Sequence, residues 1–405
     1  MLTDSLNTTR LICTAVSAIL LYYVVQALWV NFTSALRSFP GPWHTRFTGL
    51  GIKINTLLGQ RCFYIHALHR KYGPIVRVAP SEIDICELDA FREIHRIANG
   101  FQKTKWYTKF TPGIEDNVFA MTDNQEHAAR RKLLARAFSN SSLLANFQPI
   151  VMDRAKLAVQ QIKKEAASGD SDILKWWTLM ATDVTAQVAF GKASKMLESG
   201  KKTTYVENLS TLVQATGIRA EGAIFYNLLR LFSPRKVANF DRALKDVPTY
   251  GLAAVRETKS SNLESFNIIS GMIKESMSEK SHVTEFGLAS QASAIIIAGS
   301  DTTATTLTYA VWAVLSHPTV RKRLEAEVLG LPDVYDQISL EALPYLNAVI
   351  TETLRLYGAA PGSLPRVHQS KPLQAGKYLI PPGTVVSTQA WTIHRDPSIF
   401  PEPDR

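Results

Sequence analysis

Cysteine is scarce in this sequence: its 405 residues include only Cys13, Cys62 and Cys86, and none follows position 86. Their spacing fits neither a disulfide framework nor a zinc site, so the usage is typical of a reducing compartment. No run of five or six basic residues occurs, which argues against a nucleic-acid-binding arm. The formal net charge of +10 is compatible with an anionic membrane face, an acidic protein partner or simply solubility. Repeats and low-complexity tracts are also absent from the sequence.

Charge is absent from one long stretch, LICTAVSAILLYYVVQALWV, at residues 11–30. A helix of this length spans about 30 Å, the hydrocarbon thickness of a bilayer. A cleavable signal peptide, the alternative, has a shorter apolar region that ends at small residues. We therefore predict an N-terminal membrane anchor over residues 1–36 with a transmembrane helix at 11–30. Arg37 and Arg46 follow the span and only Arg10 precedes it, which predicts that the rest of the chain is cytosolic.

The remainder, residues 37–405, reads as one mainly helical domain with small β-sheets. FPGPW at residues 39–43 predicts a stiff bend. A short helix is expected at residues 62–71, followed by a β-hairpin over 72–85, where apolar and polar residues alternate. Residues 86–330 carry helical periodicity with three breaks, and residues 377–391 read as a second small sheet. The breaks fall at residues 112–113, 168–170 and 233–234.

A long helix is predicted over residues 291–316, and it contains the unusual sequence IIIAGSDTTATTL. A glycine inside a helix costs roughly 1 kcal/mol relative to alanine, and it removes a side chain that would keep a ligand away. A bulge or groove at Gly299 would let Asp301 and Thr302 face a cavity, where an acid beside an alcohol can pass protons. The alternative is a structural helix in which threonines bond back to the backbone and Asp301 caps a kink.

Three further motifs place charged residues in distinctive settings. In ETLR, Glu352 and Arg355 are three residues apart on one helical face and can form an ion pair, although solvated helices often carry such pairs. In LPRVHQ, Arg366 follows a proline, so it is presented from extended backbone.

EHAARRKLLARAFS, at residues 126–139, places His127 and Arg131 four residues apart on one helical face. This arrangement suits joint binding of an anion, although a surface feature would look the same. We expect Arg130, Lys132 and Arg136 to lie elsewhere on the helix and to reach solvent.

In this order, the motifs AGSDTT, ETLR, the Pro-Arg element and HRDPSIFPEP at residues 394–403 resemble the cytochromes P450, which are heme-thiolate monooxygenases. The anchor followed by FPGP is similar to microsomal members, and the hairpin at residues 72–85 resembles those of filamentous fungi. The resemblance covers essentially the whole chain and implies the cytochrome P450 fold.

The resemblance also implies roles for individual residues. Asp301 and Thr302 match the acid and alcohol that deliver protons during oxygen activation. Glu352 and Arg355 match the ion pair that holds the protein core beneath the heme.

His127, Arg131 and Arg366 match positions that bind the propionates of heme b, where cations neutralise carboxylates. Residues 106–119 and 205–230 match variable elements that shape the substrate pocket.

The chain departs from the family at its end. In the family, the FPEP element leads to a segment with an arginine that joins the Glu–Arg pair. A loop with the cysteine that ligates iron then follows. The sequence stops at Arg405, before both, and Cys13, Cys62 and Cys86 precede the helices that enclose heme. It therefore supplies no metal ligand. We expect residues 1–405 alone to be inactive, with the Glu352–Arg355 pair short of a partner. The sequence is then a fragment, an early-stopped gene model or a truncated relic of an enzyme.

The resemblance predicts a monooxygenase that inserts one oxygen atom from O2 into an apolar small molecule, in fungal secondary metabolism. Electrons would come from NADPH through NADPH-cytochrome P450 reductase. The protein would be a single-pass protein of the endoplasmic reticulum membrane with a cytosolic catalytic domain. Two alternatives remain: an anchored pseudo-enzyme, or a heme-thiolate isomerase or dehydratase, against which the Asp301–Thr302 pair argues.

Overall fold

The computed structural model describes residues 14–15, 17–18, 21–26, 28–29, 32–111, 115–192, 194–260, 267–278 and 283–404. The chain divides into two compact units, Met1–Gln102 with Gly362–Pro401 and Lys103–Pro361 with Glu402–Arg405. The predicted membrane span at 11–30 lies partly outside the described residues. Among those described, no helix is both long and apolar enough to cross a bilayer.

The chain is mainly helical with small sheets, as predicted. Its helices are α1 (Leu50–Leu57), α2 (Arg61–Tyr72), α3 (Leu88–His95), α4 (Asn124–Ala135), α5 (Asn140–Asn146), α6 (Gln148–Ala166), α7 (Ile173–Phe190), α8 (Met196–Ser199), α9 (Thr204–Glu221), α10 (Ala223–Phe232), α11 (Pro234–Ser260), α12 (Ile268–Ser278), α13 (Glu285–Ser316), α14 (Pro318–Leu329), α15 (Gln337–Glu341), α16 (Pro344–Tyr357) and α17 (Ala390–Ile393). The strands are β1 (Ile75–Ala79), β2 (Glu82–Ile85), β3 (Gln102–Lys103), β4 (Arg366–Val367), β5 (Leu373–Ala375), β6 (Tyr378–Ile380) and β7 (Val385–Ser387). Short 3-10 helices lie at Trp43–Arg46 and Tyr107–Phe110.

The first unit is built on a sheet in which β1, β2, β7 and β4 are neighbours in that order. β1 and β2 are antiparallel, which confirms the hairpin predicted over residues 72–85. The sheet predicted at residues 377–391 is instead divided, because β6 pairs with β5 whereas β7 runs parallel to β2. The turn between β6 and β7 explains this separation. Gly383 has a φ of +78°, and its N–H donates to the carbonyl of His368, which directs the chain away from β6.

The predicted bend at residues 39–43 packs tightly against β1. Gly41 has a φ of +156°, and a Cβ there would collide with the carbonyl oxygen of Arg77. Arg77 is buried, and its guanidinium donates to the carbonyls of Pro80 at 2.7 Å and Leu36 at 3.2 Å. Its backbone N–H donates to Pro40 at 2.7 Å. The segment that follows the predicted anchor is therefore held to the sheet by one enclosed arginine.

The second unit is organised around α13. The hydroxyl of Thr284 caps this helix by accepting from the N–H of Gly287, so α13 begins six residues earlier than predicted. It runs without interruption to Ser316. A Cβ on Gly299 would collide with Cγ2 of Thr185 on α7, the helix against which α13 packs most extensively. The predicted groove at Gly299 is therefore wrong, because the glycine serves close helix packing.

The predicted breaks separate helices where the structure describes them. Residues 168–170 lie between α6 and α7, Ser233 lies between α10 and α11, and Pro234 is the first residue of α11. The break at 112–113 lies outside the described residues. Pro248 lies within α11, in agreement with the helical periodicity predicted there without a break.

Candidate active site

A cavity of about 320 Å³ lies in the second unit along one face of α13. Its walls are mostly apolar and include Leu212, Val247 and Ile297. Phe110 and Phe119 also line it, and their rings meet edge to face with centroids 5.9 Å apart. A cavity that is apolar except for a few polar groups is typical of a small-molecule site. Both segments predicted to shape a substrate pocket contribute to these walls.

Asp301 and Thr302 are neighbours on α13, but their side chains line different cavities. Thr302 lines the apolar cavity, and its hydroxyl donates to the carbonyl of Ala298 at 2.5 Å. Asp301 is exposed and lines a polar cleft together with Lys175 and Lys202. Successive residues of an α-helix point about 100° apart, which accounts for this division. The helix thus presents an acid on its polar side and an alcohol on its apolar side.

Glu352 and Arg355 form a two-point ion pair on α16. Nε of Arg355 donates to Oε2 of Glu352 at 2.8 Å, and Nη2 donates to Oε1 at 2.6 Å. The hydrogen bonds from Arg355 lower the pKa of Glu352, and those to Glu352 raise the pKa of Arg355. Nη1 of Arg355 donates to the carbonyl of Pro403 at 2.7 Å. The guanidinium therefore contacts both the carboxylate of Glu352 and the backbone at Pro403.

His127 and Arg131 lie on α4, whose first turn is capped by the carboxylate of Asp123. His127 is partly buried, and Arg131 is exposed. Among the described residues Arg131 has no acidic partner. Its guanidinium therefore remains available to an anion.

Arg130, on the same helix, contradicts the expectation that it reaches solvent. Its side chain is only 8% exposed, and Nη2 pairs with Oε1 of Glu115 at 2.8 Å. The other oxygen of Glu115 accepts the hydroxyl of Thr284, the capping residue of α13. Arg130 is buried because α4 turns this residue toward Glu115. Arg136 and Lys132 are exposed, as expected.

Arg366 lies on β4 in the first unit, where it is partly buried and donates to the carbonyl of Pro365 at 3.0 Å. His95, at the end of α3, shares its surroundings. Burial, aided by the charge of Arg366, lowers the pKa of His95 to about 4, so this imidazole is neutral near pH 7. Nε2 of His95 lies 2.7 Å from the hydroxyl of Thr388. Sequence reasoning missed His95, because a single histidine on a short helix carries no recognisable signal.

The comparisons with known proteins identify the class. The chain matches the cytochrome P450 family over residues 40–405. It is 39% identical over 398 residues to the cytochrome P450 monooxygenase stcB of Emericella nidulans, which covers 94% of this chain and 74% of that protein. It is 36% identical over 399 residues to the monooxygenase tazI of Aspergillus terreus, covering 96% and 81%. Methylphloroacetophenone oxidase of Cladonia uncialis is 32% identical over 407 residues, covering 98% and 90%.

This chain belongs to the cytochrome P450 family. As a member of that family it is a monooxygenase. The family's cofactor is heme b, and its electrons come from NAD(P)H through a reductase.

Heme carries two propionate carboxylates. Such a group needs cations that protein acids do not already neutralise. Arg131 meets this condition, and the partly buried His127 lies one turn before it on α4. These residues therefore fit the cofactor. When bound, heme would supply the redox chemistry of oxygen activation. The protein would hold the cofactor, orient the substrate and supply protons.

Proposed function

We propose that this protein inserts one oxygen atom from O2 into an apolar small molecule during fungal secondary metabolism. The apolar cavity along α13, with Thr302 in its wall, carries this proposal. Filamentous fungi are the source of the monooxygenases stcB and tazI, and one further relative is named for oxidation of methylphloroacetophenone, an aromatic ketone. The aromatic rings of Phe110 and Phe119 suit a substrate with a flat ring.

Within this proposal, His127, Arg131 and Arg366 would hold the heme propionates, and Asp301 and Thr302 would supply protons. Asp301 has access to solvent through the polar cleft, and the hydroxyl of Thr302 lies on the apolar side of the same helical turn. Glu352 and Arg355 would fix the position of α16.

Deletion of the gene tests the oxygenation. Extracts of the deletion strain should accumulate a metabolite that differs from a lost product by one oxygen atom. Restoring the gene should reverse the change. Unchanged extracts under conditions in which the gene is expressed would contradict the proposal.

A substitution tests the proton supply in the protein expressed from its genomic locus. We expect Thr302→Ala to keep NADPH consumption but to release peroxide and lose product, because proton delivery is misdirected. Thr306→Ala is the matched control. Thr306 also bonds back to its own helix, but it does not line the cavity. Full coupling in Thr302→Ala would rule out the role of this hydroxyl.

We further propose a single-pass protein of the endoplasmic reticulum membrane with a cytosolic catalytic domain, served by NADPH-cytochrome P450 reductase. The charge-free sequence at residues 11–30 supports the anchor. α10 adds support, because Ile224, Leu231 and Phe232 expose large apolar side chains beside the charge of Arg230. Carbonate extraction should leave the protein in the membrane fraction, and deletion of residues 1–36 should release it. Release of the intact protein by carbonate would count against an integral anchor.

A further inference from the structure

The apolar cavity contains a small set of polar side chains that differ in how their hydrogens are used. In four of them the hydroxyl donates to a protein acceptor. These are Thr111 to Asp116, Thr216 to Leu212 at 2.9 Å, Ser293 to Ala289 at 2.9 Å and Thr302 to Ala298 at 2.5 Å. In this arrangement each hydroxyl hydrogen points to a protein acceptor, and a ligand would have to displace that hydrogen bond. Among the described residues that line the cavity, the other two polar side chains, Asn117 and Ser290, are arranged differently.

The amide of Asn117 is held in one orientation. Its Oδ1 accepts the backbone N–H groups of Phe119 at 3.0 Å and Ala120 at 3.2 Å, so the oxygen faces the turn. Its Nδ2 donates one hydrogen to Oγ of Ser290 at 3.2 Å. Both side chains are buried and both line the cavity.

Two hydrogens of this pair have no acceptor within the described part of the chain. One is the second amide hydrogen of Asn117, and the other is the hydroxyl hydrogen of Ser290. A buried donor without a partner costs roughly 1–3 kcal/mol, so it is rare unless a ligand or water completes it. The pair therefore offers two neighbouring donors in an otherwise apolar wall.

We propose that Asn117 and Ser290 together bind an acceptor oxygen of the substrate, such as a carbonyl or ether oxygen. The inference rests on the proposed function and specifies its substrate as an apolar molecule with an acceptor. Ser290 and Thr302 are twelve residues apart on α13, which corresponds to about 18 Å along the helix axis. The substrate is therefore elongated, and its acceptor oxygen lies far from the position next to Thr302.

Equilibrium dialysis with two matched probes tests this recognition without turnover. 4-Benzoylbiphenyl carries a ketone, and 4-benzylbiphenyl replaces the carbonyl with a methylene group. On the protein expressed from its genomic locus, the ketone should bind about five- to tenfold more tightly than the hydrocarbon. Ser290→Ala should bring the ratio of the two dissociation constants near one.

Asn117→Asp is the second variant, because it retains the oxygen that accepts from Phe119 and Ala120 but replaces the donor with an acceptor. It should also remove the preference for the ketone. Thr216→Val is the control, since the Thr216 hydroxyl already donates to Leu212, and its ratio should stay as in the native protein. Because both probes are measured on one preparation, partial misfolding does not change the ratio.

The outcomes separate this inference from the proposed function. Equal binding of both probes to the native protein, or an unchanged ratio in both variants, would overturn the acceptor site and leave the apolar pocket standing. Failure of both probes to bind would overturn the pocket as a site for apolar molecules, and the acceptor site with it.

Discussion

Two ion pairs, one in each unit of the molecule, differ in their access to water. In the first unit, Nε2 of His69 lies 2.9 Å from Oδ1 of Asp84, and the two side chains are 3% and 0% exposed. In the second unit, Arg355 is 7% exposed but its partner Glu352 is 53% exposed. Removing one member of an enclosed pair leaves a group without solvent or partner, whereas an exposed carboxylate is already well solvated. The same attraction therefore has unequal consequences for stability.

The enclosed pair is part of a larger hydrogen-bonded group. Nδ1 of His69 lies 2.9 Å from the carbonyl of Gly73, and the second oxygen of Asp84 accepts the hydroxyl of Ser363 at 3.1 Å. The group thus links α2, β2 and the segment before β4. By contrast, Glu352 and Arg355 lie on one helix, and Arg355 also donates to the carbonyl of Pro403.

The largest effect is expected from Asp84→Ala, which should lower the free energy of unfolding by about 3–5 kcal/mol, because it removes one partner of a buried pair. Hydrogen exchange measured by mass spectrometry should show faster exchange in β1, β2 and α2. Asp84→Asn, which keeps the shape and one acceptor, should have a smaller effect. Native exchange in Asp84→Ala would contradict the assignment of this pair as a determinant of stability.

The second-largest expected difference between the two pairs is in the pH dependence of the free energy of unfolding. Burial alone would lower the pKa of His69, but the hydrogen bonds to Asp84 and Cys86 and the charge of Asp84 raise it to about 10. The unfolded value is about 6.5. The folded state therefore binds more protons between these values. The stabilisation by His69 is complete below pH 6.5 and is lost as pH rises toward 10, by at most about 1.4 kcal/mol per pH unit.

Urea unfolding of the purified protein between pH 6 and 10 measures this slope. His69→Gln should reduce it. His95→Gln is the matched control, because burial and the charge of Arg366 lower the pKa of His95 to about 4. The stabilisation by His95 is lost only as pH falls from 6.5 toward 4. The decrease of stability toward pH 10 should therefore be the same in His95→Gln as in the native protein. If His69→Gln lost stability with pH as steeply as the native protein, His69 would not be the source of this pH dependence.

The smallest effect is expected from Glu352→Ala, which should lower the free energy of unfolding by about 1 kcal/mol, because the carboxylate is half exposed. Urea unfolding of this variant and of Asp84→Ala under one condition gives the comparison directly. A loss in Glu352→Ala equal to that in Asp84→Ala would mean that exposure does not separate the two pairs.

Local patterns in the sequence predicted much of this fold. Helix α13 is long and apolar, and the β1–β2 hairpin alternates regularly, so each could be read from its own residues. The ion pair of Glu352 and Arg355 was also predictable, because residues three apart share a helical face. Such features depend on contacts between residues that are close in the chain.

Features that depend on distant contacts were not predictable. The burial of Arg130 depends on its ion pair with Glu115, which lies on a different segment of the chain. Asn117 and Ser290 meet across 173 positions of sequence. The sequence predicts that the side chains of Asp301 and Thr302 point to different sides of one helix. The cavity on each side is formed by neighbouring helices, which the sequence pattern does not identify. Helical periodicity predicts the direction in which a side chain points, whereas its neighbours are set by tertiary packing.

The contact between Gly299 and Thr185 has a consequence for how this protein can vary. Because a Cβ at position 299 would meet Cγ2 of Thr185, Gly299→Ala is harmful in the native background. Thr185→Ser removes that methyl group and should make the same alanine acceptable. The order of the two substitutions therefore matters: Gly299→Ala should destabilise the protein less when Thr185→Ser precedes it.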